Sequence, residues 1–85
     1  MEKNKHFFYV VQCCDGSYYA GYTNHLERRI ETHNKGKGAR YTRSHRPVTL
    51  VYYEEFSCKS DALKAEYRFK QLDRKKKEEY MQKER

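Results

Sequence analysis

The run Phe7-Phe8-Tyr9-Val10-Val11-Gln12-Cys13 is uncharged and built of aromatic and β-branched residues. A run of this kind is a strand covered on both faces, since a strand with one wet face would alternate apolar and polar residues. Asp15-Gly16 follows at once and signals a hairpin turn, which makes Ser17 to Tyr22 the return strand. A doubly covered strand needs layers above and below it, yet the chain has only 85 residues. That is one small domain, near the lower limit of what a single core supports without metals or disulfides. Nine tyrosines and four phenylalanines can supply that core, because each ring buries a large area while the phenol keeps a polar end.

The return strand feeds a helix. Gly21 permits a turn or the close approach of another group, and Asn24 with Glu27 three residues on has the form of a capping box. Leu26 and Ile30 make the apolar stripe of this helix, and about 100° of rotation per residue sets Arg29 and His33 beside it. An arginine and a histidine at the rim of a buried face, next to a glycine-bearing strand, are suited to gripping a phosphate. The plainer reading is that Arg29 lays its stem on the core and pairs with Glu31 or Glu54. Tyr9 and Tyr19 fall on adjacent strands and could simply pair across the sheet; whether they share a face depends on the turn register.

Lys35 to Pro47 holds five basic residues, two glycines and no acidic residue, and reads as a loop or loose turn. With Tyr41 among Lys35, Lys37, Arg40, Arg43 and Arg46, it fits a strip that contacts phosphates and stacks on a base. Val48 to Phe56 is a third strand. Ser57 or Ser60 can cap the next helix, with Asp61 in its first turn. That helix has an apolar face of Ala62, Leu63, Ala65, Phe69 and Leu72, and Glu66 falls inside it. Lys70, four residues on, offers an ordinary helix-surface partner, but a carboxylate in an apolar stripe calls for a partner or a metal. Residues 73–85 give a last short helix anchored by Tyr80 or Met81, then a polar end.

Nineteen Lys and Arg against twelve Asp and Glu leave a formal charge of +7, the footprint of a polyanion binder. Nucleic acid is the expected partner, since no apolar run approaches the roughly 20 residues of a membrane span and no wide amphipathic face accompanies the cations. The polar N-terminus does not read as a secretory signal, and three cysteines, Cys13, Cys14 and Cys58, fit a reducing compartment. Cys13 and Cys14 should point to opposite faces of a strand. The expected location is the cytoplasm.

In combination these residues resemble the GIY-YIG nuclease superfamily, particularly its small, single-domain bacterial branch. The resemblance runs from about Phe7 to Leu72. Phe7-Phe8-Tyr9 and Tyr19-Ala20-Gly21 stand where the two name-giving motifs do, with Phe7, Phe8 and Ala20 in place of glycine and isoleucines. The run Asn24-x-Leu26-Glu27-Arg28-Arg29-x-x-x-His33-Asn34 is similar to the family's helix, and Glu66 matches its glutamate. A late asparagine of some homing members has no evident counterpart.

The resemblance implies an α/β (α+β) fold, a small three-stranded antiparallel sheet flanked by helices in the order β-β-α-β-α-α. It implies phosphodiester hydrolysis with one Mg²⁺ or Mn²⁺ held by Glu66. Tyr9 or Tyr19 would help deprotonate the attacking water, Arg29 would neutralise the scissile phosphate, and His33 would assist binding or proton transfer. The expectation is therefore a metal-dependent endonuclease acting on DNA, structure-selective, in repair or recombination. The charge alone also fits a non-catalytic nucleic-acid-binding module, and no targeting domain is evident, which fits a nuclease domain directed by a protein partner.

Overall fold

The computed structural model describes residues 5–83, so the ends of the chain, including the last of the polar tail, lie outside the described residues. Three strands, β1 (His6–Gln12), β2 (Tyr18–Thr23) and β3 (Thr49–Phe56), form an antiparallel sheet in the order β2-β1-β3. Helix α1 (Leu26–Asn34) follows β2, a single turn α2 (Arg40–Arg43) lies between α1 and β3, and α3 (Lys59–Lys70) and α4 (Arg74–Lys83) complete the chain. The expected sheet and element order are present. The segment expected to be a loop is not wholly one: Ala39 to Arg43 contains no Gly or Pro, and the Arg43 amide closes a turn on the Ala39 carbonyl at 3.0 Å.

β1 is the central strand, and its uncharged sequence follows from that position. Phe8, Val10, Ala20 and Tyr52 point to one side, where Phe69 of α3 and Met81 of α4 close the core. Tyr9, Val11, Cys13 and Val48 point to the other, where Leu26 and Ile30 of α1 pack with Tyr19 and Leu50. A bulge opposite Val10 and Val11 lets β3 skip one residue and keeps Leu50 on the α1 side. Cys13 and Cys14 lie past the end of β1 and not on the strand: Cys13 is buried with Tyr9 and Val11, and Cys14, in the turn, is exposed. α4 docks through Tyr80, whose hydroxyl donates to Glu54 at 2.5 Å; the Tyr52 hydroxyl donates to the same carboxylate.

Three local expectations are corrected. Asn24 and Glu27 do not form a capping box: the N-cap is His25, with no side-chain cap, and the Thr23 hydroxyl instead accepts the His25 amide at 3.1 Å. Neither Ser57 nor Ser60 caps α3, whose N-cap is Cys58, although Asp61 does stand in the first turn. Leu63 is 41% exposed rather than buried, because the core covers the flank of α3 centred on Ala62 and Phe69. The end of α1 is specified more firmly than its start. The Gly36 amide bonds the His33 carbonyl and the Lys37 amide the Thr32 carbonyl, both at 3.1 Å, a Schellman closure with Gly36 at φ 83°. Asn34 then pairs with both backbone groups of Val48, at 2.7 and 3.0 Å, tying α1 to the start of β3.

Candidate active site

The hairpin register sets Tyr9 opposite Gly21 and Tyr19 opposite Val11, so both tyrosines share the α1 side of the sheet. Tyr9 lies across the glycine: a Cβ at position 21 would stand 2.6 Å from the phenol oxygen, so only glycine leaves room for it there. α1 runs above, and Arg29 and His33, one turn apart, reach the same hydroxyl. Arg29 Nε donates to the Tyr9 oxygen at 3.4 Å, and His33 Nε2 lies 2.8 Å from it. Arg29 is therefore aimed at Tyr9 and not at Glu31 or Glu54.

The hydrogen-bond chain beyond His33 determines its tautomer. The Thr42 hydroxyl has one proton and donates it to the Ala39 carbonyl at 3.0 Å. It can then only accept from His33 Nδ1, 2.7 Å away, so Nδ1 carries the imidazole proton. Nε2 is left as the acceptor for the Tyr9 hydroxyl. His33 and Thr42 are both completely buried, and Gly38 packs so closely on His33 Nδ1 that any side chain at 38 would displace the ring. Burial, reinforced by the Arg29 charge, pushes the His33 pKa down to about 4, so the ring is neutral at pH 7. Burial also raises the Tyr9 phenol; Arg29 opposes this by hydrogen bond and charge, while Tyr19 and Glu66 add to it.

Glu66 stands on α3, which packs against the other side of the sheet. The Glu66 side chain is 19% exposed and holds Lys70 Nζ at 2.9 Å. Lys70 also lies 6.0 Å above the Tyr19 ring. Tyr19 meets the His33 imidazole edge-on at 5.6 Å and stacks on Tyr41 at 6.1 Å, and Tyr41 stacks in turn on His45 at 4.2 Å. Thus Tyr9, Tyr19, Gly21, Arg29 and His33 gather at one place, Lys70 joins Glu66 to Tyr19, and Tyr41 links the basic segment to them. Of that segment, Lys35 meets Glu31 at 3.7 Å and Arg46 donates to the Arg43 carbonyl, whereas Lys37, Arg40 and Arg43 are exposed. Sequence reasoning missed Thr42, Gly38 and His45, which carry no periodic or motif signal amid the cations.

Among the described residues no three His, Cys, Asp or Glu side chains are grouped to hold a metal ion. That does not count against Mg²⁺, which is commonly held by one or two carboxylates, several waters and substrate phosphate. Glu66, a largely buried hard oxygen donor, fits such an ion.

Residues 5–80 match the family model of the GIY-YIG catalytic domain. A UPF0213 protein of Bacillus cereus is 71% identical over 83 residues, covering 98% of this chain and 86% of that protein. The solution structure of a protein from E. faecalis superposes with a TM-score of 0.66 at 49% identity, covering 98% of this chain and 90% of that one. A UPF0213 protein from Bacillus halodurans, also a solution structure, gives 0.59 at 46% identity, covering 89% and 81%.

Proposed function

Because the chain belongs to the GIY-YIG catalytic domain family, we propose that it is a metal-dependent endonuclease that hydrolyses phosphodiester bonds in DNA, structure-selective and serving repair or recombination in the cytoplasm. The observation that carries this reading is the Tyr9 hydroxyl, held between the neutral acceptor His33 Nε2 at 2.8 Å and the Arg29 guanidinium at 3.4 Å.

In this reading Tyr9 is the group that faces the attacking water. Its raised pKa keeps it protonated at rest, so it works as a relay. The phenol oxygen takes a proton from water as its own proton passes to His33 Nε2, while Thr42 holds the other ring nitrogen. Arg29 grips the scissile phosphate. A phosphate there offsets the guanidinium charge, one of the two causes of the low His33 pKa, so substrate makes His33 a better base when it is needed. Glu66 would hold the divalent ion, which when bound supplies Lewis-acid stabilisation of the phosphoryl and leaving oxygens. Tyr19 lines the site and couples it to Tyr41. Lys35, Lys37, Arg40, Tyr41, Arg43 and Arg46 form the surface that meets the DNA backbone.

The test is nicking of supercoiled plasmid and of forked and four-way DNA with Mg²⁺ or Mn²⁺. The wild-type chain should cleave and Glu66→Gln should not. Absence of cleavage beyond the Glu66→Gln background on every substrate with either ion would end the enzymatic reading. One observation favours a second reading, a non-catalytic nucleic-acid-binding module: Lys70 already satisfies Glu66 at 2.9 Å. Metal-independent binding that is untouched by Glu66→Gln is what that module would show.

A further inference from the structure

The free edge of β2 is flanked by a row of cations set over tyrosine rings. Lys59 Nζ lies 5.5 Å from the centre of the Tyr22 ring, Lys70 Nζ 6.0 Å from Tyr19, and the Arg74 guanidinium 4.5 Å from Tyr18. α3 therefore runs antiparallel to β2, its start near Tyr22 and its end near Tyr19. The side of α3 beside this edge carries Lys59, Leu63, Glu66 and Lys70, spaced i, i+4, i+7 and i+11, which makes one continuous stripe. Next to the stripe stands Tyr67, 67% exposed, and Leu63 itself is 41% exposed. Asp61, about 200° around the helix from Lys59, is on the far side.

We infer that this stripe is a second nucleic-acid-binding surface, in which Lys59 and Lys70 contact phosphates on either side of Glu66 and Tyr67 stacks on an unpaired base. The inference rests on the nuclease reading for the role of Glu66, but the binding surface stands on its own residues. Charge complementarity names the occupant: the exposed Tyr67 ring sits among cations in a chain of formal charge +7. Eleven residues at a rise of about 1.5 Å place Lys59 and Lys70 about 16 Å apart. At about 3.4 Å per nucleotide of one strand, that distance covers roughly five phosphates. A paired base hides both of its faces in the stack, so the Tyr67 ring can stack only on a base that has left the duplex. The substrate class is thus DNA with a single-stranded stretch beside the bond that is cut. The basic segment around α2 takes the other arm, and Tyr19, touched by Lys70 on one side and Tyr41 on the other, marks where the two arms meet.

The experiment measures binding of the full chain by fluorescence anisotropy in EDTA, which silences divalent-ion-dependent cleavage. The probes are a labelled single strand, a forked duplex and a blunt duplex. Tyr67→Ala should weaken binding of the single strand and fork by about fivefold to a hundredfold and leave the blunt duplex unchanged, with Tyr67→Phe retaining affinity. Lys59→Gln should lower the slope of log affinity against log salt by about 0.7 to 0.9. Both positions are exposed, so circular dichroism should show intact folding in each variant. Wild-type affinity in both variants on all three probes, or an equal loss on blunt duplex and single strand for Tyr67→Ala, overturns the inference. If these variants behave as expected while the wild-type chain cleaves nothing, the surface stands and the nuclease reading falls. If only Arg40→Gln and Arg43→Gln weaken binding, the surface falls and the nuclease reading is untouched.

Discussion

Phe8 and Tyr9 are neighbours on β1 and are equally buried, at 0% and 1% exposure, yet their surroundings differ in kind. Phe8 meets the rings of Tyr52 and Phe69, at 6.1 and 5.4 Å between centroids. Tyr9 meets a guanidinium and an imidazole through its oxygen. The difference teaches that burial alone does not separate packing from chemistry. On the α3 side Glu54 receives two phenols and ties α4 to the sheet, and Tyr18 does the same through Glu78. On the α1 side the polar chain runs from Arg29 through Tyr9, His33 and Thr42 to a backbone carbonyl, with every bond polarised in one direction. The first arrangement fixes an element; the second is able to move a proton.

The contrast is tested hardest by removing one oxygen. Tyr9→Phe keeps the ring, so the nicking rate should fall about a hundredfold to ten-thousandfold while urea unfolding shifts by only about 1–3 kcal/mol. Phe8→Ala should do the reverse, costing about 3–5 kcal/mol in urea unfolding and lowering activity only in proportion to the unfolded fraction. A third test uses acid. His33 is neutral in the fold, with its pKa moved from 6.5 to about 4, so between those values the unfolded chain binds more protons than the folded one. Stability contributed by keeping the ring neutral is present above pH 6.5 and lost as pH falls to about 4, about 3 kcal/mol in all. His33→Asn should flatten the dependence of the urea midpoint on pH in that window. The alkaline side is no discriminator, because burial raises the phenols of both Tyr9 and Tyr52, and each face loses stability above pH 10. The smallest effect is expected from Thr42→Val, about 1–2 kcal/mol, with the ¹⁵N shifts of the His33 ring moving toward the other tautomer; Thr42→Ser should restore them. Unchanged ring shifts in Thr42→Val would show that the tautomer does not depend on Thr42.

What could be read from the residues beforehand was whatever depends on local pattern. The uncharged run of β1, the Asp15-Gly16 turn and the apolar stripe of Leu26 and Ile30 each express a short-range rule, and the sheet and element order followed from them. The positions of Arg29 and His33 at the rim of α1 followed from helical rotation alone, but their partners did not. The hairpin register that sets Tyr9 over Gly21 depends on a turn geometry that Asp-Gly does not uniquely specify. Thr42 was invisible because a threonine among cations carries no period, and it matters only once the chain returns over His33. The Asn24 cap failed because the helix begins one residue later: His25 is the N-cap, and Thr23 holds the His25 amide ahead of it. Leu63 was misplaced because a helical wheel gives the width of an apolar face but not how much of it the sheet covers.

The placement of β1 has a dynamic consequence. Its amides and carbonyls are paired along both edges, with β2 over Phe7 to Gln12 and with β3 over His6 to Gln12. Hydrogen exchange at Phe8 to Val11 should then require opening of the whole sheet, and these amides should be the slowest in the chain. Glu66 and Lys59 sit on α3, whose backbone takes no part in the sheet's hydrogen bonds. The oxygen of Tyr9 is thus mounted on the strand expected to open least often, and the carboxylate on a helix held to it by side chains. Any slow adjustment as a ligand enters would be made by α3 moving against a stationary β1, and exchange rates along α3 with and without DNA would record it.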